Sequence, residues 1–390
     1  MHRRHALLTL AAALPMSSLA AAAPRSATTM VYVGSYAPKG RGIYRFALDA
    51  ASGALQEQDL TPHAGSPSWL ALSADGLRLY SADEGAGTVS SYARAPGGAL
   101  RLLGAVASGA AGPVHLSLHP GGRHLLVSHY GGATLAVLPL DAEGRALAPQ
   151  QQAAAPARTP YGARVALKAP PGSHAISGHE AAHLHMAQAT PDGRHVLACE
   201  LGLDQILVWR FDAASGRLGA VQSTPSSPGA GPRHLALHPQ RGDRVYVLNE
   251  EASTLAWYGF ETESGRLTLL GEISSLPAGF RGTSFASGLL LAPDGRWLYA
   301  LNRLHDSIAC FALDADGRPQ LAGLEWTRGS YPRSLGLDPS GRWLIVCNER
   351  SDHLAVFARE AEGRLRFAEQ YAAVGSPAAL AFAPAGSSGP

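Results

Sequence analysis

One pattern of apolar and polar positions recurs along the chain: a short apolar strand, a turn with Pro or Asp beside Gly, and a second short apolar strand. It reads LALSADGLRLY, LSLHPGGRHLLV, AQATPDGRHVLA, LALHPQRGDRVYV, LLLAPDGRWLYA, LGLDPSGRWLIV and finally LAFAPAG. The turn glycines are Gly76, Gly122, Gly193, Gly242, Gly295, Gly341 and Gly386, which makes seven copies. A second signature lies between them, an acidic or small residue, a Gly turn and then Leu. It falls at Gly53, Gly98, Gly144, Gly216, Gly265, Gly317 and Gly363, again seven. Successive spacings of 45, 46, 72, 49, 52 and 46 give a period near 46 with one long gap. That gap predicts an insertion at about residues 150–178, rich in Ala, Pro and Gly.

Each period holds four strands of about six residues separated by Gly-containing turns, the pattern of an antiparallel meander. From Ser66 the unit runs SPSWLALS, LRLYSAD, TVSSYAR and ALRLLGAV. A four-stranded meander repeated four to eight times is the mark of a β-propeller, and no window sustains the 3.6-residue period of helical repeats. The ends predict closure. VYVGSY, GIYRFAL and ALQEQD near the N-terminus are strands two to four of a unit without its first, and the C-terminal SPAALAFAPAG is a first strand alone. The expected fold is all-β: a seven-bladed β-propeller over residues 30–388 with four-stranded antiparallel blades, the N- and C-terminal strands closing one blade.

Composition adds limits. Of 390 residues 46% are apolar and 16% charged, which excludes a disordered chain. With 32 basic against 30 acidic residues the net charge of +2 offers nothing to nucleic acid or an acidic membrane surface. Cys199, Cys310 and Cys347 are odd in number, lie in apolar runs and lack metal-ligand spacing, so buried free thiols are expected. Residues 1–25 read as an export signal: a basic start with Arg3-Arg4, an Ala/Leu-rich stretch broken by Pro15 and Ser17, and small residues before Pro24. The arginine pair resembles a twin-arginine signal, with Sec export the competing route. A periplasmic or secreted monomer with no membrane span after signal removal follows as the expectation.

In a propeller the start of each first strand and the end of each second strand meet at one mouth of the central channel. Six residues before the turn Pro, or Ala74 in its place, stand Ser68, Val114, His185, Arg233, Ser287, Arg333 and Ala378. His183 shares a strand face with His185. Seven residues after the turn Gly stand Asp83, His129, Glu200, Asn249, Asn302 and Asn348, followed by Glu84, Tyr130, Leu201, Glu250, Arg303 and Glu349. The asparagines suit turn backbone, and Arg333 with Glu349 equally suits an ion pair between blades. Acid, base and cation together at a concave mouth suit an active site better than a structural role, since burying four such groups costs desolvation each time.

These segments carry a resemblance. VYVGSYAPKGRGIYRF, HLHMAQATPDGRHVLACELGLDQILVWRFD, GPRHLALHPQRGDRVYVLNE, DGRWLYALNR and YPRSLGLDPSGRWLIVCNERSDHLAVF, in order over Val31 to Pro384, resemble the propeller-type lactonases. That family includes bacterial 6-phosphogluconolactonases and fungal carboxy-muconate lactonizing enzymes. The resemblance implies catalytic residues at His185, Arg233, Glu250 and Arg303; the mouth alignment adds His183, His129, Glu200 and Arg333 as expected substrate contacts. It implies hydrolysis of a small-molecule lactone without metal or other cofactor, His185 being a general base of near-neutral pKa and Glu250 orienting it or protonating the leaving alkoxide. Ala182 replaces the family's usual Pro, Glu200 its usual Asp, and Ser287-Gly288 a common acidic residue. An unphosphorylated lactone, or a non-catalytic exported propeller binding a ligand or partner, is the competing reading, because phosphorylated sugars are chiefly cytosolic.

Overall fold

The computed structural model describes residues 28–156 and 178–384, where the strands form seven four-stranded antiparallel sheets. The expected export signal, and the expected insertion from residue 157 to residue 177, lie outside the described residues. Blade one runs outward as Pro377–Phe382, Thr28–Ser35, Gly42–Asp49 and Leu55–Pro62, so the chain ends share one sheet with Val33 opposite Leu380. Inner strands of blades two to seven are Pro67–Leu72, Pro113–Leu118, Leu184–Ala189, Pro232–Leu237, Phe285–Leu291 and Pro332–Leu337. With Pro377–Phe382 these touch one another in a closed ring. Gln151–Ala154, placed by the spacing at the start of the insertion, instead pair with Thr134–Pro139 as the outer strand of blade three. The repeat signal was weak there because this strand has only four residues, QQAA, none of them large and apolar.

The core lies between blades. Val33 and Phe46 of blade one pack with Ile345 and Val356 of blade seven, and Leu126 and Val137 of blade three with Ala198 and Trp209 of blade four. Middle strands are therefore buried on both faces and read as continuous apolar runs. Outer strands such as Leu267–Ser274 are only partly buried.

The second glycine signature has a mechanical origin. Tyr32, Tyr80, Tyr246 and Tyr299 donate hydrogen bonds of 2.6–2.9 Å to the carbonyls of Gly98, Gly144, Gly317 and Gly363, each in the next blade. Trp343 of blade seven donates through Nε1 to Ala50 O of blade one at 3.1 Å, completing the circle. Gly363 shows why no side chain is tolerated: its φ is +74° and a Cβ would lie 2.0 Å from the Trp297 ring. All three cysteines are buried free thiols. No described helix is long and apolar enough to cross a membrane.

Candidate active site

Each inner strand breaks register once, and the break falls at Ser68, Val114, His185, Arg233, Ser287-Gly288, Arg333 and Ala378. These are the positions six before the turn Pro. A bulge re-aims its side chain, and here it turns residues of six of the seven blades into the channel, with two consecutive residues from blades two and five. Ser68, Trp69, Val114, His185, Arg233, His234, Arg333 and Ala378 close around a cavity of only about 10 Å³ for a water's centre, room for one water. The channel is plugged at this level.

Three of the four residues implied as catalytic form one ionic chain. Arg233 Nε lies 2.7 Å from Glu250 Oε2, and Arg303 Nη2 lies 2.8 Å from Glu250 Oε1, all three side chains being nine-tenths or more buried. Glu250 is fixed from both sides, its N–H donating to Gly231 O at 2.7 Å and its carbonyl accepting from Ala286 N at 3.0 Å. Arg233 also donates to the Ser287 carbonyl and to His234 Nε2 at 3.0 Å. Arg303 donates to Tyr331 Oη at 3.2 Å and to Ala286 O at 3.1 Å. Burial would raise the Glu250 pKa, but Arg303 and Arg233 outweigh it and hold the carboxyl below its usual range. An ionised Glu250 with a guanidinium on each oxygen has no proton to give, so the expected leaving-group acid is corrected to an anchor for two cations.

His185 joins this chain at the edge. Its ring lies 5.3 Å from His234 and 6.0 Å from Tyr130, while His234 and His115 flank Trp69 at 5.4 and 4.5 Å. Burial first, and then Arg233, push the His185 pKa well below the usual imidazole range, so the near-neutral pKa expected for it is corrected. The same two causes lower His234 strongly and His115 to about 3. A buried imidazole of depressed pKa contributes stability that is present above the unfolded pKa and lost as pH falls toward the folded one. For His115 the window runs from about 6.5 down to about 3, a loss of about 2 kcal/mol already at pH 5. Thermal melts should show the protein weaker at pH 5 than at pH 7, with a smaller difference in His115→Gln; an unchanged difference would contradict neutral burial.

Of the remaining expected contacts, His183 borders the mouth, stacked on Tyr130 at 4.0 Å and paired through Nδ1 with Tyr130 O at 2.8 Å. Arg333 lies across the mouth over the Tyr36 ring and donates to its hydroxyl. Its partner Glu349, at 3.6 Å, belongs to the same blade; the contact between blades is with Glu84, at 4.0 Å. His129 and Glu200 are not brought to the mouth, since both are 0% exposed. His129 Nδ1 pairs with Thr134 O at 3.1 Å, and Glu200 accepts the backbone N–H groups of His183 and Leu203. Their position is structural around the ring. At the same place Asn302 donates to Ser275 O at 2.7 Å and Asn348 to Thr327 O at 2.9 Å. Burial raises the Glu200 pKa to about 7 against those backbone donors. Trp69, His115, His234, Tyr36 and Tyr331 also shape the site and were not singled out from the sequence. The first three share one offset, directly after the bulge residue, and that alignment column was the available signal.

Comparison with known proteins shows the family to which this fold belongs. The profile of the family described as Lactonase, 7-bladed beta-propeller matches residues 30–382. The chain belongs to the seven-bladed β-propeller lactonase family. Its family class is that of lactone-hydrolysing enzymes. It is similar to the 6-phosphogluconolactonase of Bacillus subtilis, 29% identical over 307 residues, covering 77% of this chain and 83% of that one. The 6-phosphogluconolactonase of Serratia proteamaculans is 28% identical over 289 residues, covering 74% and 78%. Among solved structures, the periplasmic gluconolactonase PpgL of Pseudomonas aeruginosa superposes with a TM-score of 0.81 at 30% identity, covering 92% of this chain and 99% of that one.

Proposed function

We propose that this lactonase opens a sugar lactone at the propeller mouth by metal-independent hydrolysis. The observation that carries this reading is the buried Arg233–Glu250–Arg303 chain beside a neutral His185. A lactone carbonyl develops negative charge as water adds, and fixed guanidinium donors stabilise that charge without reorganising. Glu250 holds both guanidiniums in register. His185 takes a proton from water as its oxygen bonds to the carbonyl carbon. Part of what lowers the His185 pKa is Arg233, so an oxyanion settling on Arg233 offsets that cation and makes the imidazole a better base when needed. Collapse of the tetrahedral centre breaks the ring C–O bond, and His185 returns the proton to the leaving alkoxide. The new carboxyl group then loses its remaining proton to solvent, and the product is an aldonate with its carboxylate on the arginines.

Among the described residues no three His, Cys, Asp or Glu side chains gather to hold a metal ion, and the chelator arm of the test below decides metal dependence. Export to the periplasm or beyond is supported by the N-terminal sequence and by the likeness to the periplasmic gluconolactonase of Pseudomonas aeruginosa. The test is a lactone panel on the exported form, read by proton release with and without chelator. Turnover unaffected by chelator is expected. Binding of lactones with no turnover would favour a non-catalytic propeller, and loss of activity on chelation would reject the metal-free mechanism.

A further inference from the structure

The mouth has a second half, built by blades one, two and seven. Arg333 lies at its centre with its guanidinium 4.7 Å from the Tyr36 ring centroid. It donates to Tyr36 Oη, and that hydroxyl donates to Glu84 Oε2 at 2.6 Å. Glu84 and Glu349 face Arg333 at 4.0 and 3.6 Å, beyond hydrogen-bond distance, and Glu349 Oε2 accepts no hydrogen bond. Side-chain exposures of 20% for Arg333, 30% for Glu84 and 21% for Glu349 open part of each side chain to a ligand, although Glu349 Oε2 itself is buried.

Charge separates the two halves. Arg233 and Arg303 share Glu250, and Arg350 joins them by stacking on Tyr331 at 3.7 Å from its ring centroid. Arg333 is a single cation between two carboxylates, so its side has an anion to spare. Burial would lower the Arg333 pKa, but Tyr36, Glu349, Glu84 and Glu250 outweigh it and hold the guanidinium above its ordinary value. A phosphate arriving here would meet Glu84 and Glu349 rather than a free guanidinium. Sugar hydroxyls suit the same atoms, because they donate to carboxylates with unspent acceptor capacity and accept from Arg333.

We infer that Arg333, Tyr36, Glu84 and Glu349 form a hydroxyl-reading subsite that selects an unphosphorylated polyol end of the lactone. This rests on the lactonase reading, with the reacting carbonyl on Arg233 and Arg303 and the polyol tail across the mouth. It assigns specificity to residues other than the implied catalytic set.

The test compares kcat/KM for glucono-1,5-lactone, its 6-phosphate and hydroxyl-free δ-valerolactone. Wild type is expected to prefer the unphosphorylated sugar over its 6-phosphate by about tenfold or more. Glu84→Gln and Glu349→Gln, each checked for an unchanged fold by thermal melt, should each cut that preference about three- to tenfold. Each should also lower the ratio of glucono-1,5-lactone to δ-valerolactone turnover, which a merely structural loss would leave alone. A wild-type preference for the 6-phosphate, or ratios unmoved in both variants, would overturn the subsite while leaving the lactonase reading standing. A protein that turned over none of the three would overturn that reading and the subsite with it.

Discussion

Arg233→Ala is expected to lower kcat on a sugar lactone by about 10²–10³, the usual cost of one oxyanion donor. The size follows from its position. Arg233 is 3% exposed at a bulge, with Glu250, Ser287 and His234 each taking one of its donors or its charge, so its orientation is set before substrate arrives. Removing it leaves Glu250 paired with Arg303 and raises His185 toward ordinary imidazole behaviour, since Arg233 is part of what depresses it. The fold should survive, because the blade core and the latches between blades lie elsewhere. Arg233→Lys should recover only part of the loss: one ammonium cannot reach Glu250, Ser287 and His234 in the fork geometry of a guanidinium. Steady-state kinetics settles the point. A fall in kcat larger than the rise in KM is the expected signature of a contact that strengthens in the transition state, and unchanged kcat would remove Arg233 from the chemistry.

Glu250→Ala should act on stability as well as rate. It strips the shared carboxylate from two buried guanidiniums, and breaking a buried ion pair by removing one partner costs about 3–5 kcal/mol. Glu250→Gln keeps the shape but not the charge, so it should lie between wild type and Ala in denaturant melts while losing most of the activity. The combination of Glu250→Ala with Arg303→Met should be less destabilised than the sum of the two single changes, because the second removes a charge the first left stranded. Additive losses would show that Glu250 and Arg303 are not a working pair.

The blade count, the closing blade and the position of the arginines were legible in the sequence because a propeller repeats one register rule. Aligning on the turn Pro recovered all seven bulge residues without any knowledge of a bulge. The same rule misled at His129 and Glu200. They stand one residue before Tyr130 and Leu201, and in a strand one residue is the difference between two faces. Polarity alone did not say which of the two columns points to the mouth; the buried hydrogen bonds of Asn302 and Asn348 do. His234 was hidden for the opposite reason. Strict alternation sends it away from the channel if Arg233 points in, but the bulge between Pro232 and His234 lets both consecutive residues line the cavity, as Ser68 and Trp69 also do. Tyr36 was invisible because its partner Arg333 lies 297 positions away and meets it only when the ring closes. The depressed imidazoles are likewise a property of packing: His115, His185 and His234 gather on one side of a plugged channel next to a cation that no local pattern announces.

The location of the chemistry is tested most directly by a crystal structure with a sugar lactam, a ring analogue whose amide resists hydrolysis. The lactam carbonyl oxygen is predicted within hydrogen-bond reach of Arg233 or Arg303, with His185 beside the carbonyl carbon and the hydroxyls toward Arg333. A lactam bound in a groove between blades or at the opposite end of the plugged channel, with the Arg233–Glu250–Arg303 chain untouched, would contradict it.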